Sequence, residues 1–162
     1  MIRKNYYKLL DLFGRAYRKI KVTIFKILCP KFIYSIMYEI PKVYFLENLK
    51  LGKKIHFNDN IYINAVGNVY IGDYTILSHG VNIISTSLKI NNWDSRQLDI
   101  DEHIAKEIVI GKNVWLCANV TILQGVKIAN NIIVGAGAVV TSDLLEENCL
   151  YAGVPARKIR KL

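Results

Sequence analysis

A six-residue repeat of aliphatic side chains constrains this chain more than any other feature. Between residues 108 and 140, six consecutive hexads share one register, and each contributes two apolar positions spaced two residues apart. The first positions are Ile108, Val114, Val120, Val126, Ile132 and Ala138, and the second are Ile110, Leu116, Ile122, Ile128, Val134 and Val140. Helices repeat every 3.6 residues and strands every two, so a period of six requires a coil that turns a corner every six residues.

The residues that follow the second positions agree with such corners. Five of the six are small, as a tight corner requires: they are Gly111, Cys117, Leu123, Ala129, Gly135 and Thr141. Ile71, Leu77 and Ile83 extend the register upstream. The polar segment 85–107 then interrupts it, which predicts a loop that protrudes from the coils.

Length and composition indicate one folded domain with an appendage. The chain has 162 residues, of which 52% are hydrophobic and 22% charged. We expect a basic amphipathic helical arm over residues 1–45 and a β-helix domain over residues 46–162. The loop 85–107 and a C-terminal tail, 144–162, belong to that domain.

The arm holds most of the positive charge. Residues 1–28 contain one acid, Asp11, and eight basic residues, so they carry +7 of the net +9: Arg3, Lys4, Lys8, Arg15, Arg18, Lys19, Lys21 and Lys26. Apolar residues recur at spacings of mostly three and four, which predicts one or two amphipathic helices. Their stripe packs on the protein or a neighbouring subunit, or docks on an anionic membrane. Because the remaining residues are nearly neutral, a nucleic-acid partner is not expected.

The cysteines and the apolar segments indicate the cellular compartment of the protein. Cys29, Cys117 and Cys149 are odd in number and lack metal-ligand or CxxC spacing, which is typical of free thiols in a reducing compartment. Charges recur as far as Lys26, so neither a signal peptide nor a spanning helix is predicted. We expect a cytoplasmic protein, at the inner face of the membrane if the arm binds lipid.

Two segments carry a resemblance to a known family. IGKNVWLCANVTILQGVKI and the C-terminal AGVPARKIRKL resemble the signatures of hexapeptide-repeat acyltransferases, which include galactoside, maltose, serine and capsular-sugar acetyltransferases. The resemblance implies an all-β fold, a left-handed parallel β-helix whose coils form a triangular prism. It also implies acetyl-CoA as co-substrate without a metal, and a homotrimer in which the loop reaches a neighbouring subunit.

Acetyl transfer needs a base, and histidine suits that role near neutral pH. The resemblance places the catalytic histidine at the start of the loop, where this chain has Leu88. We therefore predict His79 as the base, oriented by Asn64, with His103 contacting the acceptor, while His56 is structural. The alternatives are that His79 and His103 are surface or hydrogen-bonded structural residues, and that Asn64 belongs to an asparagine ladder.

The resemblance also implies the binding residues. Trp115 would lie beside the pantetheine arm of coenzyme A, and the Ala118 amide would stabilise the oxyanion. The remaining cofactor contacts would be Gly135, Ala136, Thr141, Ser142, Arg157, Lys158 and Arg160, the last five near the nucleotide phosphates. Trp93, Asp94 and Arg96 in the loop would contact the acceptor. The alternatives are a solubilising basic tail and a solvated polar loop.

The resemblance implies direct transfer of acetyl to a sugar hydroxyl, or to a sugar amine, of a surface-polysaccharide precursor. The expected acceptor is a small molecule or, because of the basic arm, a lipid-linked sugar. A non-catalytic β-helix scaffold or binding protein is one alternative, favoured by Leu88. A serine acetyltransferase is another, disfavoured because 50 residues cannot supply the helical N-terminal domain of those enzymes. A γ-class carbonic anhydrase would need three zinc histidines, which are not spaced appropriately here.

Overall fold

The fold is a three-faced parallel β-helix preceded by one α-helix, which confirms the predicted architecture. The computed structural model describes the backbone of residues 2–89 and 103–162, with the side chains of these ranges from residue 12 onward. The three predicted acceptor contacts, Trp93, Asp94 and Arg96, lie outside the described residues.

The strands follow one another in successive coils after α1 (Ile2–Leu28). The first coil contains β1 (Ile36–Met37), β2 (Lys42–Tyr44) and β3 (Leu49–Leu51), and the second contains β4 (His56–Phe57), β5 (Tyr62–Asn64) and β6 (Val69–Ile71). The third contains β7 (Ile76–Leu77), β8 (Asn82–Ile84), the loop strands β9 (Thr86–Leu88) and β10 (His103–Ala105), and β11 (Ile108–Ile110). The fourth contains β12 (Trp115–Leu116), β13 (Thr121–Ile122) and β14 (Lys127–Ile128). The chain ends with β15 (Ile132–Val134), β16 (Val139–Val140), β17 (Cys149–Ala152) and β18 (Arg157–Lys161).

Each face of the prism is one sheet. Face A comprises β1, β4, β7, β12, β15 and β17 in parallel, with β18 added antiparallel at the end. Face B comprises β2, β5, β8, β13 and β16, and face C comprises β3, β6, β11 and β14. The AB corner is formed by residues 58–60, 78–80, 117–119 and 135–137. The BC corner is formed by residues 65–68, 123–125 and 141–143, and the loop leaves the prism at this corner.

The repeat residues fill the interior of the prism. All twelve predicted apolar positions between residues 108 and 140 are buried, with at most 2% exposure. Burial of each larger aliphatic side chain contributes about 1.5–3 kcal/mol, so the column is the main source of stability. The one polar interior position of the upstream register, Thr75, is satisfied because its Oγ1 donates to Gly111 O at 3.0 Å.

The β-strands begin earlier than the predicted domain start at residue 46. β1 pairs in parallel with β4, and β2 pairs with β5, so the first coil starts at Ile36. Paired residues are 20 apart in these lower coils, as His56 and Ile76 are, but 18 apart above, as Thr121 and Val139 are. Two extra residues at the BC corner break the period of six, which hid these coils in the sequence.

The helix α1 caps the first coil. It is a single helix whose Phe25 ring packs on Phe32, with centroids 5.2 Å apart, and Phe32 packs in turn on Phe57 at 5.6 Å. Lys26 Nζ also donates to Ser35 O. Because Phe32 and Phe57 are fully buried, the C-terminal part of α1 covers the open end of the hydrophobic core.

Both ends of the protruding loop are held in a β-ribbon. β9 and β10 pair antiparallel, with Thr86 opposite Ala105. Gln124 Nε2 donates to Ser87 Oγ at 2.5 Å, which fastens the ribbon to the BC corner of the next coil. The predicted loop therefore leaves and re-enters the prism at one place.

Candidate active site

The AB corner holds His79, the predicted base, in a fixed position. The His79 carbonyl accepts from Asn119 N in the coil above at 2.8 Å, and Gly80 N donates to Asp59 O in the coil below at 3.2 Å. Gly80 has a φ of 70°, and a Cβ there would overlap the Asn119 side chain. Glycine is therefore required after His79, both for the backbone conformation and for the close approach.

His79 pairs with a carboxylate on the same corner. Its Nδ1 lies 3.0 Å from Asp59 Oδ2. The hydrogen bond with His79, and then that from its own backbone N–H, lowers the pKa of Asp59 below its usual value. An ionised carboxylate beside Nδ1 favours the tautomer whose Nε2 can accept a proton. Since the His79 side chain is 52% exposed, that nitrogen is accessible to a ligand.

Asn64, which we predicted to orient His79, makes a different contact. It ends β5 on face B, and its Oδ1 accepts from Val66 N at 3.2 Å. Asp59 instead occupies the orienting position. Asp59 was not among the predicted site residues, although it precedes His79 by 20 residues, which is the separation of paired residues in β4 and β7.

The Trp115 indole is hydrogen-bonded to Ser78, the residue before His79. Its side chain is 45% exposed, and its Nε1 donates to Ser78 Oγ at 3.0 Å. Ser78 directly precedes His79, so this bond directs the indole toward the AB corner. Trp115 also lines a groove of about 320 Å³ on face A, together with Ile76, Asn113, Asn131, Ile133, Asn148 and Leu162.

The AB corner above His79 exposes two backbone amides. Ala118 lies in the next coil, and Gly135 and Ala136 lie one coil higher, where Gly137 N donates to Ala118 O at 2.9 Å. Within the described part of the chain, the Ala118 and Ala136 amides donate no hydrogen bond. Both residues carry only a methyl group, so a ligand can approach the two N–H groups. Their placement fits the predicted contacts with pantetheine carbonyls and an oxyanion.

The thiol at this corner is not activated. Cys117 directly precedes Ala118, and desolvation by burial raises the pKa of its thiol. A raised pKa keeps the thiol protonated at neutral pH, and the thiolate is the nucleophilic form. Cys117 is therefore a weaker nucleophile than an ordinary cysteine.

The predicted phosphate contacts divide into two groups. Arg157, Lys158 and Arg160 lie on β18, at the C-terminal end of face A. Glu146 Oε1 lies 2.6 Å from Lys158 Nζ, and this hydrogen bond raises the pKa of Lys158 and lowers that of Glu146. The contacts of Arg157 and Arg160 are with the backbone carbonyls of residues 156 and 161. The two arginines are therefore better placed than Lys158 to bind an anion.

Thr141 and Ser142 form the second group of predicted phosphate contacts. They follow β16 at the BC corner, whereas Trp115 lies on face A. Face B separates this corner from the AB corner. A single chain therefore does not bring these two hydroxyls beside Trp115.

His103 lies beside the residue that replaces the expected histidine. In the ribbon it is directly opposite Leu88. Such cross-strand partners have Cβ atoms about 5 Å apart, so an imidazole is present next to the Leu88 position. The ribbon leaves the BC corner, while His79 occupies the AB corner. The two predicted catalytic histidines are therefore at different corners of one chain.

Among the side chains of residues 12–89 and 103–162, no group of three His, Cys, Asp or Glu residues could hold a metal ion. No helix in the described backbone, residues 2–89 and 103–162, is long and apolar enough to cross a membrane.

Comparisons with known proteins identify which proteins share this repeat. Residues 107–142 match the family model described as bacterial transferase hexapeptide (six repeats). The chain is 34% identical over 124 residues to galactoside O-acetyltransferase of Escherichia coli, which covers 75% of this chain and 59% of the relative. It is 33% identical over 130 residues to a putative lipopolysaccharide biosynthesis O-acetyl transferase of the same species, covering 74% and 60%.

A solved structure extends the comparison to the fold. A hexapeptide-repeat-containing acetyltransferase from Vibrio cholerae, in complex with acetyl coenzyme A, superposes with a TM-score of 0.69 at 30% identity. The match covers 75% of this chain and 64% of that one. The chain thus spans about three fifths of the length of the curated relatives that it matches. The repeat, the signature segments and the β-helix agree, so this chain contains the hexapeptide-repeat β-helix that these acetyltransferases share.

Proposed function

We propose that the protein transfers an acetyl group from acetyl-CoA to a sugar hydroxyl of a surface-polysaccharide precursor, with a sugar amine as the alternative acceptor. The observation that carries this proposal is the AB corner. It combines the His79–Asp59 pair with Trp115 and the amides of Ala118 and Ala136. The relatives include a galactoside and a putative lipopolysaccharide O-acetyltransferase, and the Vibrio cholerae structure holds acetyl coenzyme A.

The proposed chemistry is direct transfer. His79 Nε2 takes the proton of the acceptor hydroxyl as its oxygen attacks the thioester carbonyl. The Ala118 N–H donates to the oxyanion that develops on the carbonyl oxygen. When the carbon–sulfur bond breaks, the His79 imidazolium returns the proton to the leaving thiolate. Asp59 holds the ring and balances its transient positive charge.

Residues of this chain fit acetyl-CoA as a co-substrate without a metal. The small residues of the AB corner leave room for an extended chain beside the main chain, and Arg157 and Arg160 supply charge-assisted contacts for phosphates. The protonated Cys117 thiol supports a mechanism without an acyl-enzyme.

We infer that the complete site is formed in a homotrimer. His103, Thr141 and Ser142 lie at the BC corner, across face B from His79. A neighbouring subunit would bring its BC corner and loop to this AB corner. His103 of that subunit would then contact the acceptor, as would Trp93, Asp94 and Arg96.

The acceptor is proposed to be a glycan precursor linked to lipid at the cytoplasmic face of the membrane. The basic arm supports this proposal because residues 1–28 carry +7 of the net charge. A precursor on a lipid carrier would present its sugar near a surface that attracts this arm.

The experiment combines acetyl-CoA binding with thiol release over a panel of acceptors. Free galactosides, lipid-linked oligosaccharides and serine are incubated with protein and acetyl-CoA, and free coenzyme A is titrated with a thiol reagent. The proposal expects sugar-dependent release and an acetyl ester on the sugar. Preference for serine would support the serine acetyltransferase alternative. Binding without release from any acceptor would support a catalytically inactive β-helix, the alternative favoured by Leu88.

A further inference from the structure

The apolar stripe of α1 faces away from the prism. The stripe consists of five large side chains at helical spacing, which are 53–69% exposed: Phe13, Tyr17, Ile20, Ile24 and Ile27. Spacings of four, three, four and three place these residues on one side of the helix. Five large apolar side chains on one helix face form a surface that a soluble monomer rarely leaves uncovered.

The opposite side of α1 faces the first coil. Val22, Phe25 and Lys26 are less exposed, and Phe25 packs on Phe32. A cavity of about 460 Å³ separates α1 from β1 and is lined by Arg15, Arg18, Lys19, Val22, Thr23, Lys26, Ser35, Ile36, Met37 and Tyr38. The stripe is thus not the surface that attaches the helix to the prism.

The charge of α1 indicates which kind of partner covers the stripe. Residues 12–28 contain five basic residues and no acid: Arg15, Arg18, Lys19, Lys21 and Lys26. A second copy of the helix would bring an equal positive charge, so pairing of two stripes is opposed by repulsion. An anionic bilayer offers an apolar interior in which the stripe can be buried, and its negative charge attracts the basic residues of α1.

We propose that α1 docks on an anionic lipid bilayer, with the stripe from Phe13 to Ile27 in the headgroup and acyl boundary. The helix lies in the plane of the surface, because it is not apolar enough to cross the bilayer. Lys21 and Lys19 border the stripe on its two sides, Lys19 between the cavity and the pair Ile20 and Ile24, and both reach the headgroups. This docking deepens the proposed function, since it holds the site near a lipid-linked acceptor.

Vesicle co-sedimentation tests the proposal with single residues instead of a deletion, because removal of α1 would uncover Phe32 and Phe57. Vesicles of phosphatidylcholine with about one third phosphatidylserine are compared with phosphatidylcholine alone. Ile20→Ser/Ile24→Ser should weaken binding about 100-fold or more. Leu145→Ser is the control, because Leu145 is equally exposed, at 66%, but lies far along the chain from α1.

The charge contribution is tested in the same assay. Lys19→Gln/Lys21→Gln should weaken binding to the anionic vesicles about 25-fold, or roughly fivefold per charge. The control is Lys50→Gln/Lys127→Gln, which removes two charges from face C and should leave binding unchanged. Binding of the unaltered protein should fall with added salt.

Three results would overturn the docking. The first is that the unaltered protein binds both vesicle types equally. The second is that Ile20→Ser/Ile24→Ser binds vesicles as well as the unaltered protein does, at an unchanged melting temperature. The third is that this double variant sediments as a dissociated oligomer. The last result would assign the stripe to a second copy. Thiol release with a soluble sugar is measured on the same variants, so loss of docking is distinguishable from failure of the acetyl-transfer proposal.

Discussion

Replacement of Asp59 by alanine tests the histidine pair of the AB corner. The substitution removes the group 3.0 Å from His79 Nδ1 and leaves the imidazole free to rotate and to adopt either tautomer. In a buried catalytic triad, loss of such a carboxylate function lowers kcat by about 10⁴. Here the side chains are 52% and 54% exposed, so water can replace part of the interaction. We therefore expect a smaller loss in kcat, about 10- to 100-fold, or roughly 1.4–2.7 kcal/mol of transition-state stabilisation.

The assay is thiol release from acetyl-CoA at saturating sugar, with kcat and the KM for acetyl-CoA determined separately. Asp59→Asn is the matched control, because its Oδ1 can still accept from Nδ1–H while the charge is lost. It should retain more activity than Asp59→Ala. Both variants should keep the KM for acetyl-CoA, since Asp59 lies below the proposed cofactor contacts. A kcat for Asp59→Ala within twofold of the unaltered protein, at an unchanged melting temperature, would refute the role of the pair.

The pH dependence of this pair has a defined sign. The pKa of Asp59 is lowered by the hydrogen bond with His79, so the carboxylate stabilises the native state above the usual pKa of an aspartate, about 3.9. That contribution is lost as the pH falls through the lower folded value. Asp59 therefore stays ionised throughout the neutral range. Titration of Asp59 should therefore contribute no step to the pH profile of activity above pH 5, which comparison of the profiles of Asp59→Asn and the unaltered protein measures.

Four further substitutions test the rest of the site. Gly80→Ala should lower stability by about 1–3 kcal/mol in urea unfolding, because the new Cβ overlaps the Asn119 side chain at positive φ; an unchanged midpoint would contradict this packing. Trp115→Ala should weaken acetyl-CoA binding in calorimetry without a loss of stability, and equal affinity would remove the residue from the cofactor site. Arg157→Ala and Arg160→Ala should each weaken acetyl-CoA binding by about 1.5–3 kcal/mol. The loss should be smaller for 3′-dephospho-coenzyme A if the arginine contacts the 3′-phosphate.

The upper coils were predictable because their interior positions repeat every six residues without interruption. The lower coils were not, since two extra residues at the BC corner shift the register between Ile63 and Ile71. The strands β1 and β2 are also only two and three residues long. Their place in the prism becomes apparent only from pairing with β4 and β5.

Site residues were predictable from the sequence where they directly follow a strand of the six-residue repeat. His79 and Ala118 follow strands of the repeat, so their position on the AB corner could be inferred from the sequence. Asp59 could not, because its contact with His79 depends on a coil of 20 residues. The pairing of His103 with Leu88 was likewise hidden, since a polar loop has no periodicity that identifies which residues are opposite. Likewise, amphipathicity predicted the stripe of α1 but not the direction in which it faces.

The central claim is that His79 is the general base, and parallel measurement of His79→Ala and His103→Ala tests it most directly. The assay is thiol release from acetyl-CoA with the best sugar acceptor, together with calorimetric binding of acetyl-CoA. The account predicts that His79→Ala lowers kcat by roughly 10²–10⁴ with nearly unchanged affinity for acetyl-CoA, while His103→Ala mainly raises the KM for the sugar. Full turnover by His79→Ala would contradict the account, and it would assign the base to His103 if His103→Ala alone were inactive.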